Sequence, residues 1–431
     1  MRGALAAAGA AGGAALSGCT GFSTAGGSGL IFLSTQFNAV QEAERFRRVL
    51  GSVVRRPASY VTVDPGTFPG QVQRQVDAGS VQFSLVGGLH GELAALADRY
   101  LQDIGGLRDE LGDLGWAPEY QRLATLGTGR VRYIPWAQAS YVLAAHQDAL
   151  AQLPPGVDPT ALTYDQLLDW AIAARRANGG RAMFGLPAGP KGLLHRFLQG
   201  YLYPSFTGAQ VTTFRSAEAV TAWQYLRELW ANTVPTSATY DQMQDPLGRG
   251  EVRFAWDHVA RLVNAPRSEP ARWRMLPAPR GPKGLGYMPV LSGLAIPKGA
   301  PDPEGAKDVI RALSRPATQI EVLRSNAFFP TVPVGLPADL PPAVSMEADA
   351  VARQRGAPGA VLSLPPERLG AKEGQVTKVY QDSFRSIVVE GADIRSTLDK
   401  QAGVLRALLG ETRASCWTPD PDSHGAVCEV L

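Results

Sequence analysis

The residues able to do chemistry are few, and their spacing argues against catalysis. Histidines stand at His90, His146, His195, His258 and His424, and no two of them have a metal-ligand spacing. There is no Gly-x-Ser-x-Gly elbow, His-Glu-x-x-His motif or Cys–His arrangement, so no nucleophile is marked with its base. Gly-Pro-Lys-Gly occurs at 189–192 and 281–284, but without the Gly-x-x-x-x-Gly-Lys-Ser/Thr spacing of a phosphate loop. Hydrolysis of a glycoside needs two carboxylates facing each other across a bond. Asp257 and Glu251 lie too close along one strand-like segment to do this. No metal, no cofactor and no enzymatic activity are expected. The net charge of +3, with no basic stripe carrying interleaved aromatics, argues against nucleic acid.

The N-terminus carries a different chemistry. Arg2 precedes a short run rich in Ala, Gly and Leu that ends in Leu16-Ser17-Gly18-Cys19. The run is too short to span about 30 Å of hydrocarbon and reads as a secretory signal. Its ending resembles the lipobox of bacterial lipoproteins. That resemblance implies removal of residues 1–18 and a diacylglyceryl group on Cys19, holding the protein at the outer face of the cell membrane. Residues 20–29 are a Gly/Ser/Thr run that bears little apolar surface, so 19–29 is expected to be a flexible tether. Acyl chains anchor by about 0.8 kcal/mol per buried methylene. With Cys19 acylated, Cys416 and Cys428 remain. An oxidising compartment favours a disulfide between them, contributing on the order of 3 kcal/mol, with two free thiols in a frayed tail as the other arrangement.

The elements between these ends must position any site. The chain has 431 residues, 45% of them hydrophobic and 19% charged, which suits a globular protein of about two domains. Leu30–Leu33 reads as a buried strand, followed by a polar loop at 34–38. A helix then places Ala39, Val40, Ala43, Phe46, Val49 and Leu50 on one face, with Asn38 as a candidate cap. Strands are predicted at 60–63 and 81–86, and helices around Val72 and Val76 and over 92–100. Val131–Trp136 reads as a strand stopped by Pro135. Thr163 and Gln166 have capping-box spacing ahead of a helix. Met288–Ile296 is strand-like and leads to a helix over 303–314. Alternating strands and helices imply parallel α/β sheets, whose ligands bind beyond the carboxyl ends of the strands. The loops at 34–38 and 87–91 are therefore placed at a candidate site.

Several segments, in order, resemble the extracellular solute-binding proteins of ABC importers, in the large family that binds sugars. They are Tyr133-Ile134-Pro135-Trp136, Gly250-Glu251-Val252-Arg253-Phe254-Ala255-Trp256-Asp257 and the Pro-rich run Pro277–Gly284. Leu294–Ala300 with Pro303-Glu304-Gly305-Ala306 follows, then Ser314–Gln319 with Phe328-Phe329-Pro330. The resemblance covers residues 29–335 best, and the segment 192–206 is not general to the family. It implies a two-lobed periplasmic-binding-protein fold of type II, each lobe a mainly parallel α/β sheet flanked by helices, with the ligand cleft between lobes. Lobe one would comprise 30–137 and 290–333. Lobe two would comprise 138–289 and 334–431. Hinge closure on a carbohydrate would precede delivery to a membrane permease, the protein itself being a monomer.

A sugar presents apolar C–H faces and hydroxyls, so its site needs flat aromatics and short polar groups. Trp136 and Trp256 follow apparent strands and are the stacking candidates; a place in the core is the other reading of each. Asp257 can accept two hydroxyls, or cap the next helix. Gln36 and Asn38 occupy the first strand-end loop, and His90 stands between Gly88 and Gly91. His195, Arg196 and Tyr201 lie in the segment particular to this chain. Gln138, Tyr287 and Ser292 sit near the lobe crossings. A glycerol phosphodiester or peptide ligand would depend on Arg196 or Arg261 instead, and a surface-anchored glycoside hydrolase would show turnover.

Overall fold

The computed structural model describes residues 29–38 and 40–431, the Asp113 side chain excepted. The signal segment and Cys19 lie outside the described residues, as does nearly all of the tether. Among the described residues eleven strands follow one another: β1 (Leu30–Ser34), β2 (Ala58–Thr62), β3 (Leu85–Leu89), β4 (Ile134–Ala139), β5 (Tyr141–His146), β6 (Phe184–Gly185), β7 (Phe254–His258), β8 (Trp273–Leu276), β9 (Leu285–Tyr287), β10 (Val290–Ala295) and β11 (Ala360–Leu362). They form one sheet in the order β2-β1-β3-β10-β4, a second in the order β6-β7-β5-β8, and a small pair β11-β9.

Local signals account for much of this. In helix Tyr164–Ala177, the Thr163 hydroxyl accepts the Gln166 N–H at 3.2 Å while the Gln166 side chain accepts the Thr163 N–H at 2.9 Å. Helix Pro303–Ser314 starts with proline, and the Asp302 carboxylate accepts the Gly305 N–H at 2.8 Å. Helix Val40–Val53 buries Ala43, Phe46, Val49 and Leu50, one face at helical spacing.

Two expectations need correction. The strand expected at 81–86 lies instead at Leu85–Leu89, so Gly87 and Gly88 are strand and not loop. A side chain at Gly87 would meet the Phe32 ring at 2.8 Å, so glycine is what lets β3 lie against β1 here. The sheets are also less parallel than alternating elements suggested. β1 pairs in parallel with β2 and β3, but β10 runs antiparallel to both β3 and β4. In the second sheet, β5 is antiparallel to β7 and β8, and only β6–β7 is parallel. The cause is connectivity: β5 follows directly on β4 of the first sheet and β10 on β9 of the small pair, without the helical crossover that parallel pairing needs.

The chain passes between the sheets at three places. The first is Ser140, a single residue between β4 and β5. The second is Met288–Pro289, between β9 and β10. The third follows Phe328. The first sheet thus keeps its strand through Ala139, slightly beyond the boundary expected at 137. Tyr201 ties two crossings together: its hydroxyl lies 3.2 Å from the Ser140 hydroxyl, accepts the Tyr141 N–H at 3.2 Å and donates to the Met288 carbonyl at 3.4 Å. The Gln354 amide donates to Ser140 Oγ at 3.0 Å. Gln138 ties in the third crossing through paired backbone bonds with Phe329, at 2.9 and 2.6 Å, and through its side-chain amide to the Pro330 carbonyl.

Two apolar cores result. The first fills the first lobe and continues onto one face of the second sheet; the other lies on that sheet's opposite face. Strand β5 divides between them by simple alternation: Val142 and Ala144 join the first, Leu143 and Ala145 the second. Cys416 and Cys428, both buried, are joined as a disulfide beside the second core. Along the seam between lobes, Arg122 donates to both Glu367 oxygens, at 2.7 and 3.0 Å, and to Asp422 at 2.6 Å, with its guanidinium over the Trp417 ring. The packing at Gly293 in β10 leaves no room: an added Cβ would stand 2.3 Å from Tyr133 Cδ2 and 2.7 Å from Leu93 Cδ1. Gly293→Ala is expected to destabilise by about 1–3 kcal/mol. A lower urea midpoint with an unchanged slope would show it, and an unchanged midpoint would refute it.

Candidate functional site

A cleft of about 1080 Å³ lies between the sheets. Its first wall carries Thr35–Asn38 beyond the end of β1, Gln41, Glu42 and Arg45 on helix Val40–Val53, then Pro65, Leu89 and Glu92. Its second wall carries Tyr141, Leu193, Arg196, Gln242, Gln244, His258, Arg261, Asn264, Arg267 and Ser268. Val290 and Phe328, beside the second and third crossings, complete it. Both walls gather residues at strand ends, where an open α/β sheet exposes backbone and side chains to a ligand.

The base is aromatic and built in two layers. Tyr141 stacks on Trp256 with ring centroids 4.8 Å apart and planes 8° from parallel. Phe37 stands edge-on to Trp136 and to Phe328, at 6.1 and 5.0 Å. Phe37 also holds φ at 52°, a left-handed conformation that disfavours a bulky side chain by roughly 1–2 kcal/mol. The surrounding rings hold the residue there, and such strain concentrates at ligand sites.

The polar groups are equally fixed. The Glu92 carboxylate accepts the Thr35 hydroxyl at 2.6 Å and the Leu89 N–H at 2.8 Å. Burial pushes its pKa up to about 7 in spite of those bonds. The Gln36 amide donates to Thr35 Oγ1 at 2.9 Å, and the Asn38 amide to the Thr35 carbonyl at 2.9 Å. Burial, aided by the positive charge of Arg261, pulls His258 down to about 3, so it is neutral. Its Nδ1 accepts the Ala260 N–H at 3.2 Å.

Of the residues singled out from sequence, Gln36, Asn38, Arg196 and Arg261 line this cleft. The others stand elsewhere. Trp136 and Trp256 are core residues, 1% and 0% exposed, each behind an aromatic that does line the cleft. Period-two alternation along β7 turns Trp256 and Phe254 into the second core, and the cleft-facing ring comes from Tyr141 on the neighbouring strand. Asp257 is wholly buried, accepting the N–H groups of Met243 at 2.9 Å and His258 at 2.7 Å. Burial raises its pKa to about 6. Gln138 and Tyr201 belong to the crossings. His90 faces the seam between lobes, its Nδ1 3.1 Å from the Tyr133 hydroxyl. His195 is buried beside Arg196, with Nδ1 unpartnered among the described residues. Ser292 is buried in β10, and Tyr287 is half-buried outside the cleft. Sequence reading missed Phe37, Tyr141, Phe328 and the amides Gln242 and Gln244. Phe37, within the strand-end loop at 34–38, and Tyr141, directly after the first crossing, carried a positional signal.

The family model for bacterial extracellular solute-binding proteins matches residues 58–320, a span that holds the second wall of the cleft and Pro65, Leu89 and Glu92 of the first. The chain belongs to this family. Among solved structures, maltose-bound MalE3 of T. maritima superposes with a TM-score of 0.71 at 19% identity, covering 88% of this chain and 99% of that one. The GacH receptor of Streptomyces glaucescens, solved unliganded and with acarbose, gives 0.70 at 15% identity, over 89% and 98%. The cyclic alpha-maltosyl-1,6-maltose binding protein of Arthrobacter globiformis gives 0.69 at 16%, over 90% and 100%. These likenesses establish the two-lobed type II fold for this solute-binding protein. No curated protein matches it in sequence. No helix among the described residues is long and apolar enough to cross a membrane.

The Glu92 environment has a measurable consequence. Its folded pKa of about 7 lies above the ordinary 4.5, so the folded state favours the neutral acid. That contribution is complete below pH 4.5 and is lost as pH rises through 7. Glu92→Gln should therefore gain stability relative to wild type between pH 4.5 and 8. Paired melting curves across that range test it, and a constant difference in melting temperature would mean an ordinary carboxylate.

Proposed function

We propose that this solute-binding protein captures a mono- or oligosaccharide between its lobes, closes on it by hinge motion, and delivers it to the permease of an ABC importer. It works as a monomer without chemistry of its own, exported and held by lipid on Cys19 at the outer face of the cell membrane. The observation that carries the ligand class is the cleft's composition. A base of Tyr141, Phe37 and Phe328 is ringed by the amides of Gln36, Asn38, Gln41, Gln242, Gln244 and Asn264. Rings suit the C–H faces of a sugar, and amides both donate to and accept from hydroxyls, whose burial without partners costs roughly 1–3 kcal/mol each. The structural relatives named above, solved with maltose or acarbose or named for a cyclic maltosyl sugar, support the same ligand class. The three crossings, cross-linked at Tyr201 and Gln138, suit rotation of one lobe against the other.

Thermal-shift screening against mono-, di- and trisaccharides tests the reading. A ligand at 100 times its Kd stabilises by about 2.7 kcal/mol. The sugar found this way should bind Tyr141→Ala at least tenfold more weakly in calorimetry. Equal affinity would remove Tyr141 from the site, and sugar cleavage by the purified protein would replace transport binding with hydrolysis.

A further inference from the structure

The charge in the cleft is lopsided. Four arginines line it, Arg45, Arg196, Arg261 and Arg267, against two carboxylic residues, Glu42 and Glu92. Both carboxyls are held toward their neutral forms, chiefly by burial. Two of the arginines have other work: Arg196 lies 3.5 Å from Glu373, and Arg261 donates to the Asp241 carbonyl at 2.9 Å. Arg45 and Arg267 have no such partner. Among the described residues neither forms an ion pair or a side-chain hydrogen bond, and the Nε of Arg45 is buried with its donor unmet.

These two stand on different lobes, Arg45 on helix Val40–Val53 and Arg267 on the short helix Asn264–Ser268. They are close enough that Arg267 works against the positive charge of Arg45, second only to burial, while Glu42 offsets them in part. Closing the lobes on a neutral ligand would press two like charges together in a drying cleft, where repulsion strengthens. An anion between them reverses the sign: each guanidinium gains a charge-assisted partner, and the Arg45 Nε donor is met. Neutral sugar hydroxyls could satisfy one donor but would leave the repulsion in place.

We infer that the ligand of this cleft is an anionic carbohydrate, whose carboxylate or phosphate group sits between Arg45 and Arg267 and draws the lobes together. The inference rests on the carbohydrate reading above and narrows it. Uronic acids and sugar phosphates share the required chemistry, and separate arms distinguish them.

The test is calorimetry on the purified protein with glucose, glucuronate, glucose 6-phosphate and inorganic phosphate at constant ionic strength. Glucuronate or glucose 6-phosphate should bind at least tenfold tighter than glucose, and the tighter of the two names the anionic group. Arg45→Gln and Arg267→Gln should each cut the ratio of anionic to neutral affinity at least fivefold, while Arg45→Lys keeps most of it. Melting curves establish that the variants fold. Equal affinity for glucose and its anionic forms overturns this inference and leaves the carbohydrate reading standing. Binding of inorganic phosphate with no sugar of either kind overturns the carbohydrate reading and supports the anion site. Absence of heat with every probe overturns this inference and leaves the carbohydrate reading to the di- and trisaccharide screen.

Discussion

The arrangement of this protein depends on how little chain separates its two sheets at Ser140. One residue lies between β4 and β5, so the two sheets cannot drift apart, yet a single pair of backbone torsions can turn one against the other. The other crossings would spoil that freedom if they moved independently. They do not, because the Tyr201 hydroxyl gathers the Ser140, Tyr141 and Met288 groups within 3.4 Å, and Gln138 is bonded to Phe329 and Pro330. The three strands of chain are thereby fastened into one axis. The cleft opens beside this axis, with Tyr141, Val290 and Phe328 contributed by residues next to it. A ligand touching them is felt where the lobes turn.

The cleft wall is stiffened from behind. Two of the three aromatics at its base lean on rings buried behind them, Tyr141 on Trp256 and Phe37 on Trp136 and Phe46, and Phe328 stands against Phe37. A ring locked by packing loses little freedom when a ligand arrives, which favours affinity. The left-handed backbone at Phe37 fits the same design. Its strain is held by the rings around it, and its effect is to turn the chain after β1 so that Gln36 and Asn38 both reach the cleft.

Much of the fold was legible because it is written in local patterns. Thr163 with Gln166, Asp302 ahead of Pro303, and the apolar face of Val40–Val53 each specify an element within a few residues, and each element forms. The site was less legible because it depends on partners far along the chain. Whether Trp256 faces ligand or core is decided by the pairing of β7 with β5, across more than a hundred residues. No motif around Trp256 contains that information. Likewise, Gln138 and Tyr201 have side chains suited to a sugar, but their partners at Phe329, Pro330 and Met288 claim them for the crossings. Gly87 and Gly88 read as a loop because glycine usually marks one. Here Gly87 serves close packing against Phe32, and Gly88 against Glu92 and Phe68.

Asp257 shows how a residue can shape a site without touching it. Its carboxylate is too deeply buried to meet a solute and is spent on two backbone N–H groups. One belongs to Met243, which lies between Gln242 and Gln244, both on the cleft wall. The other belongs to His258, whose ring also lines the cleft and accepts the Ala260 N–H. A buried acceptor of two backbone donors fixes both segments more firmly than solvent-exposed contacts would, because breaking either bond leaves a polar group unsatisfied in the interior. The sequence motif Trp-Asp-His is therefore a support for the cleft at two of its residues and a lining at the third. Trp256 backs the Tyr141 ring, Asp257 holds the loop of amides, and only His258 reaches the ligand space.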